Sequence, residues 1–179
     1  MAEKKPSRQI RKTKVAVIEA FNDLVLQGRY HDMGVGDIVR HSDIGRSTFY
    51  EHFKDKEDVL RHSMAGMLSA MAGAVDESCD IDHVQRILEH FHENISMARV
   101  IFNSPTMPVI INALASLIEV RLPSEAISDL PTSLIATQIA EAQFGLIRGW
   151  LNKGGHVSGR IVAEALHRSS SKLSSEYQK

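Results

Sequence analysis

Gly45, Arg46, Ser47, Thr48 and Tyr50 bring one guanidinium, two hydroxyls and one phenol into six consecutive positions, with Phe49 and Phe53 four residues apart beside them. On a helix the two phenylalanines share one face and turn toward a core, which leaves the small and hydrogen-bonding groups outward. The chemistry open to such a face is recognition, by hydrogen bonds to phosphate oxygens and base edges. A generic surface helix of this length more often carries Glu/Lys pairs. Bond-breaking chemistry is not expected, because no nucleophile, base and orienting group can be assembled in the chain. Cys79 and His83 are four apart, and His83 and His90 seven apart, a face that a soft metal would accept. His92 lies on a different face and no fourth ligand is evident, so neither a metal site nor a cofactor is expected.

The stretch 34–60, GVGDIVRHSDIGRSTFYEHFKDKEDVL, must position that face. A short helix from about Val35 to Ser42, a tight turn at Asp43 and Ile44, and a second short helix from Gly45 to His52 are too small to be stable alone. They become rigid when packed on a first helix. Val17, Ile18, Phe21, Leu24 and Val25 give that helix its apolar stripe, over about Ser7 to Gln27, with Gly28 as its stop. In a helix-turn-helix the second short helix enters the major groove, which is wide enough to admit it.

Helical periodicity continues through the rest. A long helix opens at 54–58, where Asp55, Glu57 and Asp58 suit the positive end of a helix dipole, and runs to about Val75. Further helices are expected from Asp80–Asp82 to about Ile95, from Pro105–Pro108 to about Arg121, from Pro131 to about Lys153, and from Ser158 to about Leu173. Gly154-Gly155 breaks the last two apart, and Pro123 and Ser124 lie in the loop before Pro131. Strand signals are nearly absent. The expected fold class is all-α, with about nine helices. An N-terminal three-helix helix-turn-helix domain over 1–54 would precede a helical domain over 55–179.

Residues 1–62 hold 12 Lys+Arg against 10 Asp+Glu, whereas 63–179 hold 9 against 12. The basic excess is concentrated in Lys4, Lys5, Arg8, Arg11, Lys12 and Lys14, opposed only by Glu3. Such a run is either a solubilising tail or part of a DNA-binding surface. No apolar run follows at signal-peptide length, and no stretch reaches the length of a membrane span. The single cysteine cannot form an intrachain disulfide. A cytoplasmic location without membrane contact is expected.

The run Thr48-Phe49-Tyr50-Glu51-His52-Phe53, followed by Lys54-Asp55-Lys56-Glu57-Asp58-Val59-Leu60, resembles the signature of the tetracycline-repressor (TetR) family of regulators. The resemblance covers roughly residues 8–62. It implies a DNA-binding transcriptional regulator, a homodimer on a palindromic double-stranded operator, and a repressor released by a small-molecule effector of unknown identity. The alternative is a regulator without such a pocket that acts through a protein partner, as an activator. It also implies that Arg46, Ser47 and Thr48 approach base edges or nearby phosphates, that Tyr50 and His52 hold phosphates, and that Lys56 clamps another phosphate at the start of the long helix. The competing assignments are a packed turn aromatic for Tyr50, a partly buried structural histidine for His52 and a solvated lysine for Lys56. The chain departs from the family at Gly34, where a capping Thr is frequent, and at Gly36, where some members read bases. Ser42-Asp43 stands in place of Ala-Gly, and Gly45 in place of a capping Ser or Thr.

In the C-terminal part, Ala142, Gly145 and Gly149 make a face of small residues that lets another helix approach closely. Ile161, Val162, Ala165 and Leu166 make a stripe on the last helix. Gly145, Gly149-Trp150-Leu151 and Gly154-Gly155 resemble the dimerisation helices of one TetR subgroup. Two such helices per subunit would build a four-helix interface about a two-fold axis; the other arrangement buries both stripes inside the protomer. Met64, Met67, Met71, Phe91, Ile95, Phe102 and Met107 are candidate walls of an effector pocket, for which methionine's adaptability suits. The competing assignment is plain core.

Overall fold

The computed structural model describes residues 8–103, 106–123 and 130–177. Lys4 and Lys5 of the basic run, Pro105 and Ser124 lie outside the described residues. Every regular element among those described is helical, as the periodicity requires. The chain forms two compact units, Met1–Met64 and Ala65–Lys179.

In the first unit, α1 (Arg8–Leu26) buries Val17, Ala20, Phe21 and Leu24. It stops at Gly28, whose φ of +76° lets the Gly28 and Arg29 amides fold back onto the carbonyls of Val25 and Leu24 at 2.9 and 3.1 Å. These bonds satisfy carbonyls that the helix end leaves open, and glycine reaches that conformation without penalty. α2 (Val35–His41), α3 (Arg46–His52) and α4 (Lys56–Ser63) follow. Ile38, Phe49, Phe53 and Val59 are each at most 1% exposed and, with the buried α1 residues, make up the core of this unit. α4 packs along α1, and Ser63 Oγ donates to Asn22 Oδ1 at 2.7 Å. The first unit therefore runs through α4 to Met64, whereas the sequence reading divides the chain at 54/55.

The turn from α2 to α3 replaces glycine with aspartate. Asp43 has φ +52°, the left-handed conformation that costs most residues about 1 kcal/mol but that Asp tolerates. The Ile44 amide reaches the Val39 carbonyl at 3.4 Å, and Ser42 Oγ donates to Ile38 O at 2.8 Å. Gly34 supplies α2 with no side-chain cap. Asp37 compensates by accepting from the Gly34 amide at 2.9 Å.

The long helix expected from 54 to 75 is instead two helices. Met64, with ψ near 0°, separates α4 from α5 (Ala65–Ala72), and a 3-10 turn spans Gly73–Val75. The flanking Gly66 and Gly73 weaken the helical run, each by about 1 kcal/mol relative to alanine. α6 (Ile81–Glu93) starts on Asp80, whose carboxylate accepts from the His83 amide at 2.9 Å. A further helix, α7 (Ile95–Phe102), has no counterpart in the sequence reading. α8 (Met107–Glu119), α9 (Thr132–Asn152) and α10 (Gly159–Glu176) complete the second unit. Leu114, Ile118, Ile135, Ile139, Phe144, Leu151 and Leu166 fill its core. α9 ends on Gly154 and Gly155, both at positive φ, with the Gly155 amide on Trp150 O at 3.0 Å. Arg99 seals the same helix end with two bonds to Leu151 O, at 2.9 and 2.7 Å.

Candidate nucleic-acid interface

Local sequence decides which way α3 faces. Phe49 and Phe53 are 0% and 1% exposed, which anchors one side of the helix in the core. Gly45, Arg46, Ser47 and Tyr50 stand exposed on the other side, with Thr48 and His52 half-buried at its margins. Tyr50 is 51% exposed, so the packed-turn assignment does not hold for it. The Arg46 guanidinium stands 5.9 Å from the centre of the Tyr50 ring one turn on. The helix therefore presents a cation and a phenol along one ridge, and two hydroxyls beside them. Gly45 caps α3 with backbone alone, at φ −71° and ψ 146°, a conformation open to any residue. The structure brings Gly45, Arg46, Ser47, Thr48, Tyr50 and His52 together on one helix.

Lys56 is placed differently. Its ammonium donates to the carbonyl oxygens of Tyr30 at 2.9 Å and Met33 at 3.2 Å, and lies 4.6 Å from the centre of the Tyr30 ring. Two of its three N–H groups are thus engaged by protein, so the fully solvated lysine does not describe it. The Tyr30 hydroxyl is buried near the Glu57 carboxylate, with no hydrogen bond of good geometry among the described residues. Burial first, then the nearby Glu57 carboxylate, push the phenol up to about 12. The α4 start is itself well capped, with Asp55 Oδ1 accepting from the Asp58 amide at 2.7 Å and Asp58 Oδ2 from the Lys54 amide at 3.1 Å. Burial opposes charge on Asp58, but the Lys54 amide, His62 and Arg61 outweigh it and hold the carboxyl below its usual range. Asp37 is also held low, by the Gly34 amide first and then by Arg40 and Arg29.

In the second unit, Ala142 and Gly145 are exposed, Gly149 and Ala165 half-buried, and Ile161 57% exposed. Between α9 and α10 lies an open groove of about 540 Å³, walled by Gly145, Leu146, Gly149, Trp150, Val157 and Ile161. Val162 and Leu166, the other half of the α10 stripe, are buried within the protomer. Each helix thus divides its apolar residues between a core side and an open side.

Of the candidate effector walls, Met67, Met71, Phe102 and Met107 are buried and Phe91 and Ile95 half-buried in the second unit, while Met64 belongs to the first. Phe102 packs against both Phe91 and Phe144, with ring centres at 5.1 and 5.8 Å. Sequence reasoning missed Gln143, 1% exposed, whose Nε2 donates to Met71 O at 3.1 Å and Ser170 Oγ at 2.9 Å while Oε1 finds no partner among the described residues. The signal was available, since Ile139, Gln143 and Ile147 are spaced by four and share a buried face. Among the described residues no group of three or more His, Cys, Asp or Glu side chains is placed to hold a metal. Burial, aided by Asp80 and Asp76, pushes the Cys79 thiol up, which disfavours its thiolate. No helix among the described residues is long and apolar enough to cross a membrane.

A buried-face helix held by two others, with a polar ridge outward, defines the helix-turn-helix class of nucleic-acid-binding protein. Residues 19–62 match the model of the bacterial regulatory proteins of the tetR family. Over 60 residues, 33% of this chain, the sequence is 37% identical to the uncharacterised HTH-type transcriptional regulator YxbF of Bacillus subtilis. Over 48 residues, 27% of the chain, it is 38% identical to DhaS, the dhaKLM operon transcriptional activator of Lactococcus lactis. These matches span only 16% and 26% of the two relatives' own lengths. A TetR transcriptional regulator from Streptococcus agalactiae shares the fold, with a TM-score of 0.55 and 23% identity over 91% of this chain and 96% of that one. Residues 19–62 thus carry a helix-turn-helix of the tetR type, within a chain that shares the fold of a TetR regulator.

Proposed function

We propose that this protein is a sequence-specific DNA-binding transcriptional regulator, acting in the cytoplasm as a homodimer on a palindromic double-stranded operator. The exposed ridge of α3 carries the proposal: Arg46, Ser47 and Tyr50 face outward, with Thr48 half-buried at its margin, while Phe49 and Phe53 anchor the helix. Arg46, Ser47 and Thr48 read base edges, and Tyr50 and His52 hold the flanking phosphates, with the backbone of Gly45 at the helix start. A single short helix reads too few base pairs for a unique site, so a two-fold dimer is required. The open, apolar side of α9 and α10, with Ala142, Gly145, Gly149, Ile161 and Ala165, is its interface.

Regulation by a small molecule is part of the same reading. An effector held among Met67, Met71, Phe91, Ile95, Phe102 and Met107 would favour a state in which the two recognition helices are wrongly spaced for successive major grooves. The operator would then be released, and the protein would act as a repressor. A second reading, activation, is favoured by one observation: the relative DhaS is a transcriptional activator. Selection of duplexes from a randomised library by the full chain tests DNA recognition. A reporter carrying the selected site separates the two directions, since deletion of the protein raises expression for a repressor and lowers it for an activator.

A further inference from the structure

Gln143 interrupts the buried face of α9, between Ile139 and Ile147, and is itself 1% exposed. Its Nε2 donates to Met71 O in the last turn of α5 at 3.1 Å and to Ser170 Oγ on α10 at 2.9 Å. A backbone carbonyl can only accept, so Met71 O fixes which end of the amide is nitrogen. Both amide hydrogens are spent on these two bonds. Oε1 is left as an oriented acceptor that receives no hydrogen bond among the described residues. A buried acceptor without a donor is costly, and folded proteins keep few of them.

The position of this acceptor connects it to the proposed effector walls. Met71 is one of them, and its carbonyl holds the amide. Phe144, the next residue on α9, packs on Phe102, another of them, with ring centres 5.8 Å apart. The remaining buried polar side chains described in the second unit are the hydroxyls of Thr106, Ser170 and Ser174, and none is charged. A charged ligand would therefore find no buried counter-charge there.

From this geometry we propose that Gln143 is the polar anchor of the effector site, and that its Oε1 receives the hydroxyl or N–H of a neutral, otherwise apolar molecule. The proposal rests on the effector reading above and narrows it to a chemical class. A carboxylate has no donor to offer Oε1 and would bury its charge against an acceptor. An ammonium would bury its charge with no carboxylate to meet it. An alcohol, a phenol or an amide N–H satisfies Oε1 without a charge and leaves the bonds to Met71 and Ser170 in place.

The experiment measures, by calorimetry on the full chain, the binding of alcohols and their isomeric ethers. The pairs are hexanol and methyl pentyl ether, benzyl alcohol and anisole, and decanol and methyl nonyl ether, with decanoate as the anion. Within a pair the atoms are the same, and only the alcohol oxygen carries a hydrogen. At least one alcohol should bind about tenfold more tightly than its ether, the worth of one hydrogen bond, and Gln143→Met should erase that preference while changing ether binding by under about twofold. Decanoate should bind more weakly than decanol. If Gln143→Met does not fold, the side-chain carbonyl resonance of Gln143 in glutamine-labelled wild type takes its place: the alcohol should shift it and the ether leave it unmoved. Saturable binding of alcohols and ethers with equal strength would mean that Oε1 meets no ligand donor; it overturns the anchor and leaves the effector reading standing. A preference that survives Gln143→Met overturns the anchor in the same way, and tighter binding of decanoate overturns the neutral class. Silence from every probe would remove the effector reading and the anchor with it.

Discussion

The Lys56 ammonium lies 2.9 Å from the Tyr30 carbonyl oxygen and 4.6 Å from the centre of the same residue's ring. One residue thus offers the cation both a backbone dipole and a π face. The phenol hydroxyl contributes to neither contact; it is buried near the Glu57 carboxylate, with no hydrogen bond of good geometry among the described residues. Tyr30→Phe should keep the grip on Lys56 and leave stability unchanged or raise it by up to about 1 kcal/mol, measured by urea unfolding. The phenol is raised from 10.0 to about 12 in the folded state. An acid that is harder to ionise when folded leaves stability intact below pH 10 and removes it as pH rises from there toward 12. Wild type should therefore lose stability across that window relative to Tyr30→Phe, and identical pH profiles would contradict the assignment.

The acid side has the opposite sign. Asp58 and Asp37 are held below their usual range, so their stabilisation is present above the ordinary carboxylate value near 3.8 and is lost as pH falls through the lower folded values. Asp58→Asn should lower stability at neutral pH and make the acid limb shallower. An acid limb as steep as wild type would show that Asp58 is not a linked group.

Asp43 holds a left-handed backbone that glycine adopts freely. Asp43→Gly should stabilise the protein by roughly 0.5–1 kcal/mol at this one turn, raising the melting temperature by about 1–4 °C. Calorimetry showing a lower melting temperature would mean that the Asp43 side chain holds the turn in some other way.

Gly155 is needed for space as well as conformation. Its φ is +64°, and a methyl there would overlap the His92 ring, which is stacked on Trp150 with ring centres 5.7 Å apart. Gly155→Ala should cost about 1–3 kcal/mol. In a His92→Ala background the cost should fall to about 1 kcal/mol, the backbone strain alone. Equal costs in both backgrounds would remove the steric part of this account.

The proposed dimer surface can be tested without harming the protomer. A Cβ at Gly145 or Gly149 would meet nothing within 4 Å, so Gly149→Leu should leave the protomer folded. Overpacking costs about 1–3 kcal/mol and occurs twice in a symmetric interface. The variant should sediment toward monomer and lose operator affinity, although every residue of α3 is intact. Wild-type sedimentation together with normal binding would place the interface elsewhere.

The features that were legible in the sequence are local. Gly28 stops α1, Phe49 and Phe53 turn α3, and Gly154-Gly155 ends α9, because periodicity and chain stops act within a few residues. The break at Met64 was not legible, since the apolar pattern runs across it. Asn94 likewise hid the start of α7. The sequence alone leaves Lys56 a solvent-facing or phosphate-facing cation, because Tyr30 and Met33 are brought to it only by the packing of α4 on α1. Asp37 replaced the missing cap on Gly34 from three residues on, a reciprocal bond that the sequence permits but does not announce.

The central claim is that the outward ridge of α3 reads DNA, and paired binding measurements on Thr48→Ala test it most directly. The variant and wild type are titrated with the selected duplex and with a random duplex at one salt concentration. The account predicts a loss of about 1–3 kcal/mol on the selected duplex and almost none on the random one. Equal losses on both would make Thr48 a phosphate contact. No loss on either, with Arg46→Ala equally silent, would contradict the claim that this helix is the reading surface.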